Sequence, residues 1–213
     1  MLITNDSKIY AGDTEIVKAY QGTNIVFEKD TMPYQQVNWL EINNRYFNTY
    51  FYPNQDTKVE IKLNSSATNA YWFGALSQIG GSFWNTNVYA FCNDGASYYV
   101  GYGYQSTAPR GNTTGEAIIT LDKNVAKIDD NVLATLNYET FSPTVPIFLG
   151  KQNRGGSAIG SGWMNFSYCK IWDNGTLVRD FVPVLDNNND PCLYDKVNKE
   201  LYYSLGTGTI SYG

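Results

Sequence analysis

The chain of 213 residues contains no histidine. Ser-His-Asp and Cys-His catalytic arrangements are therefore excluded, and a metal site would have to be built from carboxylates and amides. Three cysteines, Cys92, Cys169 and Cys192, cannot all pair within the chain and match no metal-ligand spacing. Cys169, inside a strand pattern, reads as a buried free thiol. Basic residues are outnumbered, 15 against 20 acidic, for a formal charge of −5, and Lys and Arg form no run longer than two. That balance leaves no surplus of cations to displace phosphate counterions, so neither nucleic acid nor an anionic membrane is an expected partner. No apolar run approaches the ~20 residues of a membrane span, and the opening MLITND lacks the basic and apolar regions of a secretory signal. Synthesis in a cytoplasm is expected. No window shows a helical period with caps.

What is present is strand and turn. Aromatic content is high at 15%, charged content is low at 16%, and Gly, Asn, Ser and Thr clusters punctuate short apolar runs, the composition of a sandwich or barrel. In TKVEIKL (57–63), Val59, Ile61 and Leu63 share one face and Lys58, Glu60 and Lys62 the other, the period-two pattern of a strand with one wet face. In 165–203, Tyr168, Lys170 and Trp172 alternate with Cys169 and Ile171, Asn174-Gly175 supplies a type I′ hairpin turn, and LVRDFVPV runs back. Arg179 and Asp180 point to opposite faces of that returning strand, and Pro183 is expected to end its ladder. The length fits one large β domain.

The only internal repeat is at the start. KIYAGDTEI (8–16) aligns at a spacing of ten with KAYQGTNIV (18–26), pairing Tyr10 with Tyr20 and Gly12 with Gly22. Each copy reads as strand, glycine turn, strand. Hairpins this small are marginal alone, so residues 1–30 are expected to pack on a partner or to extend the main domain's own sheet. Residues 30–36, with Pro33, read as the linker.

Residues 70–110 concentrate aromatics among Asn, Asp and Gly. Flat rings stack on sugar faces while Asn and Asp fix hydroxyls, so the mix suits a carbohydrate or an aromatic-rich protein contact. The same run also reads as core: in YYVGYGYQ, Tyr98, Val100, Tyr102 and Tyr104 occupy one face and Tyr99, Gly101 and Gly103 the other. Trp72 and Phe91 are expected inside. The loop-borne candidates for a ligand are Trp84, Asn85, Asn87, Asn93 and Asp94, with Arg110 and Arg154. No paired-carboxylate run is present, since Glu41, Glu60 and Glu116 stand alone and Asp129-Asp130 sits in a predicted turn, so no catalytic residue is assigned. Asp186, Asn188 and Asp190 have the spacing of the first three ligands of a calcium loop, but Pro191 follows where a glycine is needed, and a turn is the better reading. No cofactor is expected, and calcium bound elsewhere stays open.

Several segments carry a resemblance to a family. The 165–203 run resembles the C-terminal "CKIYDNGxLVRDFxPV" and "LYDxVxxxxYY" signature of laminin-G-like, concanavalin A-type lectin jelly rolls of bacteriophages, prophages and gut-bacterial surface proteins. WLEINNRYFNT (39–49), TKVEIKL, AIITLDKNVAKIDDNVLAT (117–135) and PIFLGKQNRGG (146–156) match further segments in order, so that roughly 33–213 is covered. Asn44 departs from the family's glycine, and Asp130-Asn131 from its Asp-Gly turn. The 1–30 segment resembles the "IYxGDTEVxKxYxGxxxV" leader of phage virion proteins.

The expectation is an all-β, two-sheet antiparallel jelly-roll sandwich over 33–213 behind an N-terminal β-hairpin attachment or oligomerisation segment over 1–30. The resemblance implies a noncatalytic, carbohydrate-binding virion protein of a tail fibre, head fibre, baseplate or capsid decoration. Its implied partners are a bacterial surface glycan, other virion proteins through residues 1–30, and further copies of itself, with three the form the resemblance suggests. A purely structural virion protein is the alternative and a glycoside hydrolase the third reading.

Overall fold

Short apolar runs broken by turn residues fold into strands throughout, and among the described residues of the computed structural model there is no helix. The structure describes residues 32–65, 67–78 and 87–213, together with the backbone of four strands before them. By contacts the chain divides into Met1–Gln35 and Gln36–Gly213, a boundary inside the linker expected over 30–36.

In the first unit β1 (Tyr10–Ala11) pairs antiparallel with β2 (Thr14–Glu15), and β3 (Lys18–Gln21) with β4 (Asn24–Glu28). Each pair is a two-stranded sheet, as the repeat predicts. The turn glycines Gly12 and Gly22 lie outside the described residues.

The following strands, in chain order, are β5 (Gln35–Gln36), β6 (Leu40–Ile42), β7 (Arg45–Asn48), β8 (Thr57–Ser65), β9 (Asn69–Leu76), β10 (Val88–Asp94), β11 (Ser97–Gly103) and β12 (Gln105–Thr107). Then come β13 (Gly115–Asp122), β14 (Val125–Ile128), β15 (Asn131–Thr135), β16 (Phe148–Leu149), β17 (Gln152–Arg154) and β18 (Ser157–Ile159). The last are β19 (Met164–Asp173), β20 (Thr176–Leu185), β21 (Pro191–Asp195), β22 (Glu200–Tyr202) and β23 (Leu205–Gly206). One sheet runs β15-β14-β13-β8-β19-β20-β21-β22, and the other β12-β11-β10-β9-β16-β7-β23. The two pack face to face as an antiparallel jelly-roll sandwich, in which β17 pairs parallel to β9.

Strand β8 shows why. Val59, Ile61 and Leu63 are fully buried, each stabilising the fold by roughly 1.5–3 kcal/mol relative to exposure. Its polar face is covered by long side chains, with the Lys58 ammonium 4.4 Å from the Trp172 ring centroid and Lys62 3.0 Å from Glu116. The opposing sheet contributes Trp72, Phe73, Tyr89, Phe91, Tyr98 and Tyr102. Tyrosine can serve as core because its hydroxyl reaches across to the facing backbone. The Tyr89 hydroxyl lies 2.6 Å from the Leu121 carbonyl and 3.0 Å from that of Thr57, and Tyr102 donates to Gln55 at 2.9 Å.

The hairpin at Asn174-Gly175 forms as expected, with φ of 47° and 79° as a type I′ turn requires. Two expectations change. Tyr104 does not join Tyr102 in the core, because Gly103, at φ 65°, turns the chain into β12 and leaves Tyr104 exposed. A Cβ at position 103 would run into the Glu139 carboxylate. Nor does Pro183 end its ladder, since β20 continues to Leu185. In an antiparallel pair the N–H and C=O of one residue face the same neighbour. The Pro183 carbonyl accepts from the Val37 amide at 3.1 Å, so its missing N–H costs no bond to Leu193 on β21.

Candidate functional site

One long edge of the sandwich is closed by the chain itself. Strand β22 ends the first sheet and β23 ends the second, so Tyr203 and Ser204 carry the backbone from one to the other. Because successive side chains in extended backbone point to opposite sides, Tyr202 turns in, edge-on to Phe181 at 5.0 Å, and Tyr203 turns out. Tyr203 is 51% exposed, yet its hydroxyl donates to Asp186 Oδ2 at 2.8 Å. The other oxygen of Asp186 accepts the amides of Asn188 and Asp190, both at 2.8 Å. These bonds, the Asp190 amide first, hold the Asp186 carboxyl below its usual range. The 186–190 loop is thus a carboxylate-centred turn that anchors an aromatic ring. Among the described residues no group of three carboxylates or thiols assembles as a metal site.

Tyr50 faces the same edge. It is 63% exposed and sits at φ 52°, a left-handed conformation that a bulky residue rarely adopts. Its neighbours enforce it. The Tyr50 amide donates to Asn48 Oδ1 at 2.9 Å, the Thr49 amide and hydroxyl both donate to the Ile147 carbonyl, and Arg179 Nε donates to the Thr49 carbonyl at 3.3 Å. Arg179 is itself 3.6 Å from the fully buried Asp195. Strain maintained this way gathers at functional positions.

Two clefts flank Tyr203. One, of ≈ 460 Å³, takes Arg45, Asp190, Tyr203 and Thr209 into its wall. The other, of ≈ 280 Å³, is walled by Asn48, Tyr50, Glu200 and Tyr203. Arg45 is pinned, with Nε donating to Ser204 Oγ at 2.8 Å, one terminal nitrogen to the Ser204 carbonyl at 3.2 Å and the other to the Gly208 carbonyl. Among the described residues each wall carries a single carboxylate, Asp190 or Glu200. The arrangement supplies fixed ring faces, a fixed cation and hydrogen-bonding groups, which is the chemistry for stacking on and orienting a polar, flat-faced ligand.

The described residues expected from sequence fall elsewhere, in two groups. Trp84 and Asn85 lie outside the described residues. Asn87 precedes β10, where its Nδ2 donates to the Ser142 carbonyl at 2.6 Å. Arg154 is at that same end, opposite Leu76, which pairs with Val88, and both its Nε and a terminal nitrogen donate to Gln152 Oε1. Asn93, Asp94 and Arg110 are at the other end of β10, roughly 20 Å away at the rise of a strand. Asn93 is buried with its Nδ2 on the Thr113 carbonyl, while Asp94 and Arg110 are exposed. The described members of the set therefore do not converge on one site. Tyr50 and Tyr203 were missed. The adjacent pair Tyr202-Tyr203 at the end of a short strand carried a signal, since one of two neighbouring rings in extended backbone must face out, whereas nothing in NTYF announces the φ of Tyr50.

No protein-family model matches the chain, and no curated protein matches it.

Proposed function

We propose that the protein is a noncatalytic binding module of a phage virion, serving in a fibre, baseplate or capsid decoration and attaching to bacterial surface carbohydrate through the Tyr203 edge. The observation that carries the binding reading is Tyr203 itself: half exposed, tied at its hydroxyl and set between two clefts beside the strained Tyr50. A ring so held loses little freedom on stacking against a sugar, which favours binding. The single carboxylate in each cleft wall supports a noncatalytic role, since glycoside hydrolysis uses a pair. The virion setting rests on the resemblance of the 165–203 signature and the 1–30 leader. In this reading residues 1–30 attach the module to other virion proteins, and copy number multiplies a weak site.

The test is binding of a multivalent display of the protein to a bacterial polysaccharide array, with Tyr203→Ala and Trp84→Ala as matched variants. Saturable binding to a few glycans, lost in Tyr203→Ala, supports adhesion at this edge. Loss in Trp84→Ala alone moves the site to the loop before β10. Silence of the folded protein across the array favours a structural virion role without a ligand.

A further inference from the structure

The opposite long edge of the sandwich is built differently. There β12 ends one sheet and β15 the other, and the chain leaving β15 passes along the seam on its way to β16 in the opposite sheet. The Gln105 side chain imitates a strand there, its Nε2 donating to the Asn137 carbonyl and its Oε1 accepting the Asn137 amide, both at 3.1 Å. This double rung draws the edges together and leaves a trough of ≈ 350 Å³ above it. Two tyrosines border the seam. Tyr104 is 52% exposed and Tyr138 55%; Glu139 Oε1 accepts the Tyr104 backbone amide at 2.6 Å, and the Tyr138 hydroxyl donates to Asp56 at 3.1 Å. Ser106, in the trough wall, has a buried hydroxyl oxygen with no hydrogen-bond partner among the described residues.

Among the described residues the trough wall contains no charged side chain, only hydroxyls, amides, Leu136 and the Tyr104 ring. This contrasts with the Arg45 cleft and points to a neutral, hydroxyl-rich ligand. We infer that this edge is a second carbohydrate site, selective for neutral oligosaccharides, so that a single domain is bivalent. Six strand spacings separate β12 from β23 in the shared sheet, which places the two sites about 29 Å apart. One molecule could then engage two positions on a surface polysaccharide. The second site uses none of the residues of the proposed function, whereas the bivalency rests on that reading as well.

The experiment is NMR titration of the full chain, ring-labelled at tyrosine, with cellotetraose, mannotetraose, maltotetraose and N-acetylchitotetraose. The expected result is saturable shifting of the Tyr104 and Tyr138 resonances by at least one of these, retained in Tyr203→Ala and reduced at least tenfold in affinity in Tyr104→Ala. The buried Tyr89 and Tyr102 resonances report whether each variant is folded, and Tyr104→Leu, which keeps an apolar side chain but no flat face, is the second variant. Shifts confined to Tyr50 and Tyr203, no shift with any of the four sugars, or binding unchanged in a folded Tyr104→Ala would each overturn the inference. If Tyr203→Ala loses array binding while Tyr104 and Tyr138 stay silent, the second site fails alone. The reverse pattern leaves it standing without the first.

Discussion

Replacing Tyr89 with phenylalanine removes one oxygen and leaves a fully buried ring in place. That oxygen shares its proton between the Leu121 carbonyl at 2.6 Å and the Thr57 carbonyl at 3.0 Å, both on the facing sheet. Thr57 keeps a second donor, the Lys123 amide at 2.9 Å, so the loss amounts to one strong buried bond and one partly compensated acceptor. A net cost of about 1–2 kcal/mol follows. Tyr89→Ala removes the ring as well, including its stacking on Phe141 at 6.3 Å, and should cost about 3–5 kcal/mol. Urea unfolding is the assay, with both variants lowering the midpoint at an unchanged slope. Burial pushes the Tyr89 phenol well above its ordinary 10.0. The folded state therefore keeps the proton that the unfolded state releases, and stability falls as pH rises above about 10, less steeply in Tyr89→Phe. If phenylalanine cost under ~0.3 kcal/mol, or as much as alanine, the claim that core hydroxyls tie the sheets together would be refuted, since it assigns them about one buried bond each.

Further perturbations separate other parts of the account. Asp186, with its carboxyl held below the ordinary 3.8, contributes stability that is present above that value and lost as pH falls through the folded one. Asp186→Asn should flatten part of the acid limb in denaturation below about pH 4. Gly103→Ala combines a positive φ with collision against Glu139 and should cost more than ~1 kcal/mol in the same urea assay, part of it recovered in a Glu139→Ala background. Cys92, Cys169 and Cys192 are all buried, and burial pushes the Cys92 and Cys192 thiols up to about 12. A thiol reagent at neutral pH should find none of the three in the native protein and all three in denaturant.

The strands were legible wherever a local rule sufficed. TKVEIKL fixes its own faces by alternation, and Asn174-Gly175 dictates a turn type by backbone preference alone. Tyr104 and Pro183 went the other way because their positions depend on residues far off in sequence, the Glu139 carboxylate beneath Gly103 and the Val37 amide opposite the Pro183 carbonyl. The site was less legible than the fold for a related reason. Tyrosine belongs equally to core and surface, and only the facing backbone decides which. Tyr89 and Tyr102 find carbonyls across the core, whereas Tyr203 finds Asp186 at the rim. Asn93 looked like a ligand contact, yet its amide serves the Thr113 carbonyl in a buried position.

The central claim is that a tethered ring at the closed edge holds a glycan. It is tested most directly by titrating multivalent displays of wild type, Tyr203→Phe and Tyr203→Ala on an immobilised polysaccharide that the array identifies. The account predicts at least a tenfold loss of apparent affinity for alanine and a smaller loss for phenylalanine, which keeps the face but not the tie to Asp186. Equal binding by all three would contradict it.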